Sequence, residues 1–308
     1  MHRGLTRADV LVLIILFILS GILVLPAIAE MREKSKREQC ASNLRTIMEA
    51  CVTYASQNSE NFPYIRGESA STYDVTLKPE LCLDTPEATI KTIYREKLLP
   101  NNPFAPLWLL CLQNDKITPR LFICPEDRFA GAPAEVTGKE KRCYINFQSP
   151  QNISYSIAYM WKIVQAFDIP ADAPPKAQKA IGEIRCADFW RNTNNASLPL
   201  MADMAPYLGK KARDGEIATE DGKMTAHVAG VRSSNHGFAG QNIVYADVHV
   251  DWMSRPDVGQ ANDNIWTQKV DGEEQYPDAG AIPAQQGSMQ EPYDIVMIPT
   301  RSANGDLK

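Results

Sequence analysis

Hydrophobic positions are distributed unevenly, and the most apolar stretch comes first. From Val10 to Ala29 the chain reads VLVLIILFILSGILVLPAIA, twenty residues without a charged side chain. As an α-helix at about 1.5 Å per residue this run is about 30 Å long, one hydrocarbon thickness. The pattern then changes period instead of stopping. Cys40, Leu44, Ile47, Met48, Cys51 and Ala55 recur at i, i+4, i+7, i+8, i+11 and i+15, a single apolar stripe on an amphipathic helix. Polar Ser56-Gln57-Asn58-Ser59 ends the stripe, and Pro63 confirms the stop. One helix from Leu5 to about Ser56 would be roughly 75–80 Å long, apolar all round in its first half and on one face in its second.

Beyond this helix the apolar segments are short. Arg120–Cys124, Ile153–Ile157 and Gln241–Tyr245 read as strands; Ala88–Lys97, Trp108–Gln113 and Ala158–Ala166 read as helices. Pro170–Pro175, Asp203–Asp214 and Asp271–Pro292 are loops by composition. No internal repeat is visible. The expected fold class is α+β: a long N-terminal transmembrane and amphipathic helix (residues 5–58, with the membrane segment at 10–29) packed on the antiparallel sheet of a head spanning 59–308.

Composition narrows the function. With 308 residues, 44% hydrophobic and 22% charged, the chain is globular, not disordered. A net charge of −5 leaves no basic footprint, so a nucleic-acid partner is not expected. Seven cysteines cannot all be satisfied by disulfides. Cys40 and Cys51, eleven residues apart on one helix, would be about 16 Å apart, beyond the Cα limit of about 7 Å for a bridge. Cys82, Cys111, Cys124, Cys143 and Cys186 are the head candidates, with connectivity open; Cys40, Cys51 and Cys124 could equally be small buried hydrophobes. There is no CxxC pair, and no HExxH, GxSxG, GxxxxGK[ST] or GxGxxG. A Cys–His pair could be built from any cysteine with His227 or His236, but nothing selects one. Neither catalysis nor a cofactor is expected.

The N-terminal run has three readings. A secretory signal peptide would use the basic start (His2, Arg3, Arg7) and exit at Ala27-Ile28-Ala29, but the apolar run exceeds the usual length of about 7–15 residues. A plain signal anchor would simply tether the rest of the chain to the membrane. The third rests on Met1-His2-Arg3-Gly4 followed by Leu5-Thr6-Arg7-Ala8-Asp9, which resembles the type IV prepilin and pseudopilin signature. That resemblance implies a leader of residues 1–4 removed by a prepilin peptidase after Gly4, and a methylated new N-terminus at Leu5. It implies that Asp9 pairs with the α-amine of a neighbouring subunit, and that Pro26 kinks the helix. Leu5 stands where the family usually has phenylalanine, and Asp9 where it has glutamate. Basic residues flank both ends of the run (Arg3 and Arg7 before; Arg32, Lys34, Lys36 and Arg37 after), so charge alone does not orient it. The resemblance implies the N-terminus inside, a single pass through the cytoplasmic (inner) membrane, and a head in the periplasm or outside the cell.

Further segments resemble a large bacterial family of prepilin-type proteins with a domain of unknown function, numerous in planctomycetes. They are Cys40-Ala41-Ser42-Asn43-Leu44-Arg45 with Tyr54 and Asn61-Phe62-Pro63, then Phe122–Asp127, Ser154-Tyr155-Ser156, Met201-Ala202-Asp203, and Asn235-His236-Gly237 through Gly240–Val250, with Asp263–Thr267 after it. The last long match is similar to that family's H-x(9 or 10)-D-G signature, carried here by His236, Asn242, Asp247 and His249. Where the family has glycine this chain has Val248, a residue penalised at positive φ. Either the turn is of another type, or the strand continues and places Asp247, His249 and Asp251 on one face, opposite Val244, Ala246, Val248 and Val250. His236, Asp247, His249 and Asp251 are metal-ligand types, as are Asp257, Asn262 and Asp263 for calcium; His236 and Asp247 could instead only hydrogen-bond backbone across the loop. The function expected is a non-enzymatic pilin-like structural subunit of a type II secretion or type IV pilus-like assembly, with the membrane and other pilin-like subunits as partners. The alternative is a membrane-tethered binding protein that does not polymerise; a metal-dependent enzyme centred on His236 and His249 is a third.

Overall fold

Helix α1 runs from Arg7 to Gln57, 51 residues or about 76 Å at the standard rise. The computed structural model describes residues 7–65, 82–96, 102–131, 136, 138–163, 170–178, 184–193, 195–205, 219–220, 223–224, 233, 235–270, 273–275 and 295–298. Asp9 lies in the first turn of α1, where an acid complements the helix dipole. Pro26 lies inside the helix and deprives the Ile22 carbonyl of its amide partner, yet the helix continues through it. No described residue in the most apolar window of α1 is buried, Phe17 is 80% exposed, and the window is long and apolar enough to cross a membrane. From Cys40 onward the same helix is buried on one face: Cys40, Leu44, Ile47, Met48, Cys51 and Ala55 are all inaccessible to solvent. The helix ends where Asn58 and Glu60 both donate to the Ala55 carbonyl, with Ser59 and Glu60 in the left-handed region.

The surface that covers the stripe is an antiparallel sheet. Its strands, β1 (Tyr155–Ala158), β4 (Pro199–Asp203), β7 (Gln241–Tyr245), β8 (Val250–Met253) and β11 (Met297–Ile298), lie in the order β11-β1-β4-β7-β8. Helix α1 packs on β7, β8 and β4. Three two-stranded ribbons complete the strands: β2 (Trp161–Ile163) with β3 (Ile184–Cys186), β5 (Thr219–Glu220) with β6 (Lys223–Met224), and β9 (Gln268–Val270) with β10 (Glu273–Gln275). Helices α2 (Pro86–Glu96), α3 (Ala105–Gln113) and α4 (Pro175–Gln178) lie outside the sheet. The chain leaving α1 is pinned by two buried indoles, with Trp190 Nε1 donating to the Pro63 carbonyl at 2.9 Å and Trp161 Nε1 to that of Ile65 at 2.8 Å. The α+β reading therefore holds at the level of a long N-terminal apolar helix and an antiparallel sheet.

Local expectations fared less evenly. Gln241–Tyr245 coincides with β7, and α2 and α3 fall where helices were expected. Arg120–Cys124 is not a strand: Pro119 starts a 3₁₀ turn through Phe122, and Ile123 follows as extended backbone. Ala158–Ala166 is not a helix over its described part. β1 ends at Ala158 and β2 begins at Trp161, because Tyr159 donates to Val296 and Ala187 donates to Met160. Those partners come from distant segments that local periodicity does not report. Asp203 closes β4 instead of opening a loop, and β10 lies within Asp271–Pro292; residues 164–166, 206–214, 271–272 and 276–292 lie outside the described residues. The cysteine pairing left open resolves as a Cys82–Cys143 disulfide, with Cys40, Cys51, Cys111 and Cys124 as buried thiols.

Candidate functional site

Three chain segments meet α1 near Cys40, where the buried face of the helix begins. The helix itself brings Cys40. The extended backbone after the 3₁₀ turn brings Cys124, fixed by Ser154 N–H donating to the Phe122 carbonyl at 2.8 Å and by Asn43 Nδ2 donating to the Ile123 carbonyl at 3.3 Å. The end of β4 brings Asp203, opposite Tyr155 in the register. The turn Asn235–Phe238 brings His236.

That last turn is unusual backbone held by buried polar bonds. His236 (φ 54°) and Gly237 (φ 62°) are both left-handed, a region histidine tolerates better than most side chains. Asn235 Nδ2 donates to the Ser154 carbonyl at 3.0 Å, Ser233 Oγ donates to the Met204 carbonyl at 2.7 Å, and Ser233 N–H donates to Gln241 Oε1 at 3.3 Å. At Gly240 a Cβ would stand 2.6 Å from the Met253 carbonyl oxygen and 2.7 Å from the Trp252 ring, so only glycine lets β8 lie this close. The Trp252 and His236 rings pack edge-to-face at 5.4 Å between centroids, and the Arg37 guanidinium covers the Trp252 ring at 4.4 Å.

One ligating atom from each of Cys40, Cys124, Asp203 and His236 lies within 4.8 Å of the others, and all four residues are buried. His236 Nε2 stands 3.6 Å from Cys124 Sγ and 3.3 Å from Asp203 Oδ2. Asn242 donates twice to Asp203 Oδ2, from its backbone at 2.7 Å and its side chain at 3.0 Å, and its side chain also reaches the Arg37 carbonyl at 3.3 Å. Asp203 Oδ1 and His236 Nδ1 have no hydrogen-bond partner among the described residues. Burial opposes charge on the His236 ring, but the Asp203 carboxylate and Cys124 outweigh it and push the pKa up to about 10. Burial pushes the Cys124 thiol well up, and Cys40 adds to the rise.

The other sequence candidates lie elsewhere. Asp247 and His249 lie in the turn at the far end of β7 from His236, and Asp251 stands on β8 opposite Ile243. The hairpin there is a three-residue turn: Val248 N–H donates to the Tyr245 carbonyl at 2.9 Å, and Tyr245 N–H to the His249 carbonyl at 3.0 Å. Val248 has φ 75°, so the chain keeps a turn that suits glycine and places a β-branched residue in it. The strand does not run through, and the proposed common face of Asp247, His249 and Asp251 is interrupted. His249 Nδ1 contacts Asp247 Oδ1, its Nε2 is 3.7 Å from Asp251 Oδ2, and Tyr245 stacks on the ring at 4.3 Å. All three polar side chains are about half exposed, His249 at 44%. Asp257 pairs with Arg255 at 3.5 Å and bridges to Asn264, while Gly259 N–H donates to the Asp263 carbonyl. These residues do not gather as a ligand group; among the described residues the buried quartet alone does so. Gly4, Leu5 and His227 lie outside the described residues.

Sequence reasoning reached His236 and Asn242 but missed Cys40, Cys124 and Asp203 as their neighbours. The signal was present in Cys40–Arg45, Phe122–Asp127, Met201–Asp203 and Asn235–Gly237, segments grouped in the sequence only by their resemblance to one family, and the fold brings them to one place. No protein-family model, no curated protein and no solved structure matches the chain.

Proposed function

We propose that this chain is a membrane-anchored, pilin-like structural subunit. Its head would lie outside the cytoplasmic membrane, and its N-terminal helix would pack against pilin-like neighbours in a type II secretion or type IV pilus-like assembly. The observation that carries the reading is the continuity of α1, a single helix whose apolar window has no described residue buried while its later turns are buried on one face against the sheet. A helix apolar all round needs an apolar solvent on every side. In this reading lipid provides it before assembly, and the helices of other subunits provide it afterwards. Asp9 has a role in the same scheme, because a carboxylate at the edge of a hydrocarbon layer is costly without a partner, and the free α-amine of a processed neighbour would be one. The Cys82–Cys143 disulfide suits an oxidising compartment for the head.

The deciding measurement is the mass of the N-terminal peptide from protein purified out of its native membrane. A chain beginning at N-methylated Leu5, with Gly4→Ala blocking processing and Asp9→Ala reducing recovery in sheared filaments, supports the subunit reading. A chain beginning at Met1 makes it a tethered head that does not polymerise, and one beginning at Glu30 makes it a secreted head; either overturns the proposal.

A further inference from the structure

We propose that Cys40, Cys124, Asp203 and His236 are the four protein ligands of a structural zinc site that fastens the stalk helix to the sheet. The donor set is two sulfurs, an imidazole nitrogen and a carboxylate oxygen, all of them zinc ligands, and two cysteines select zinc over calcium or magnesium. The spacing fits as well. Tetrahedral zinc, with bonds of about 2.3 Å to sulfur and about 2.0–2.2 Å to nitrogen and oxygen, separates sulfur from nitrogen by about 3.5 Å and nitrogen from oxygen by about 3.4 Å. The observed separations are 3.6 Å for Cys124 Sγ to His236 Nε2 and 3.3 Å for His236 Nε2 to Asp203 Oδ2.

Hydrogen bonding explains the cluster less well. His236 Nε2 carries at most one proton and faces two groups at once, and a nitrogen–oxygen distance of 3.3 Å is long for a bond to a carboxylate. Asp203 is fully buried, with Oδ1 unpartnered among the described residues, so its charge is left to Asn242 and His236. A divalent cation would neutralise the carboxylate and two thiolates down to a single residual charge. The two donations from Asn242 to Asp203 Oδ2 are the bonds that would orient a carboxylate ligand. All four ligands come from the protein and all are buried, so no coordination position faces solvent, and the role is structural. The ligands come from α1, the segment after the 3₁₀ turn, the end of β4 and the turn before β7, so one ion would tie the stalk to the sheet core. The site is independent of whether the chain enters a filament.

The test uses the full-length chain purified in detergent without chelator. Elemental analysis is expected to give one zinc per chain. Exchange for cobalt is expected to give sulfur-to-cobalt charge-transfer absorption and the intense visible bands of tetrahedral cobalt. Cys124→Ser should lose roughly half of that charge-transfer intensity, because Cys40 still supplies one thiolate, whereas Cys51→Ser, a buried thiol on the same helix outside the cluster, should retain all of it. Peptide mapping showing a Cys40–Cys124 disulfide with no metal would overturn the proposal. So would a folded wild-type chain that takes up neither zinc nor cobalt, or a Cys124→Ser chain with an unchanged cobalt spectrum. If the variants fail to fold, the metal count and cobalt spectrum of the wild-type chain decide alone.

Discussion

Strand β7 has a histidine beyond each end, each close to aspartate, and the two sets differ in what surrounds them. At the leading end His236 is buried with Asp203, Cys124 and Cys40, and every one of these groups depends on the others for charge compensation. At the trailing end His249 stacks on Tyr245 between Asp247 and Asp251, about half exposed, where water can solvate any member that loses its partner. The same side-chain types thus form a cluster on which the fold depends and a surface decoration. The difference lies in desolvation, because a buried charge without a partner costs several kcal/mol while an exposed pair contributes about 0–1 kcal/mol.

The largest expected effects come from breaking the buried end. Asp203→Ala removes the acceptor of both Asn242 bonds and the counter-charge of His236, and should destabilise the chain by about 3–5 kcal/mol in denaturant titrations followed by tryptophan fluorescence. If the cluster holds zinc, a strong chelator should lower the wild-type Tm by more than that of Asp203→Ala, which keeps only three of the four ligands. Asn242→Ala keeps all four ligands but removes the side-chain donation to Asp203, so metal affinity should fall about 10–100-fold in a competition titration. An unchanged affinity would make Asn242 a mere strand residue.

These expectations also mark what could be read from sequence. Both regimes of α1 were legible, because an uninterrupted apolar run and a stripe from Cys40 to Ala55 are strictly local patterns. Strand β7 was legible for the same reason. Strand β4, equally short, was not, because Pro199–Asp203 has no β-branched or aromatic residue, whereas β7 has Ile243, Val244 and Tyr245; β4 is held by β1 and β7 on either side. The quartet was illegible as a unit, since its members come from four segments joined only by tertiary packing. The resemblance to the family signature linked His236 to Asp247 and His249, and β7 separates it from both. Val248 shows the converse, because positive φ at a β-branched residue defies local preference and is imposed by the pairing of β7 with β8.

Val248 gives a smaller effect of opposite sign. Val248→Gly should relieve the left-handed strain, worth about 1–2 kcal/mol, against about 0.5–1 kcal/mol of added chain entropy and some lost apolar contact, for a net stabilisation of about 0.5 kcal/mol. Val248→Ala, which keeps the strain and loses the contact, should be destabilising. A gain from alanine as large as that from glycine would show that φ is not what penalises valine here.

The smallest effect belongs to the exposed end and depends on pH. Slight burial works against the Asp247 carboxylate, but the backbone N–H and ring of His249 outweigh it and hold its pKa below the ordinary 3.8. A folded-state pKa that is depressed gives stability that is present above the unfolded value and lost as pH falls through the folded value. Wild type should therefore melt slightly above Asp247→Asn at neutral pH, and the gap should close as the solution is taken below about pH 4. Because Asp247 is 43% exposed, salt should shrink the neutral-pH gap, whereas the Asp203→Ala deficit at the other end of β7 should survive the same salt. A gap at Asp247 that resists both acid and salt would place that carboxylate in the same desolvated class as Asp203, and the contrast between the two ends of the strand would fail.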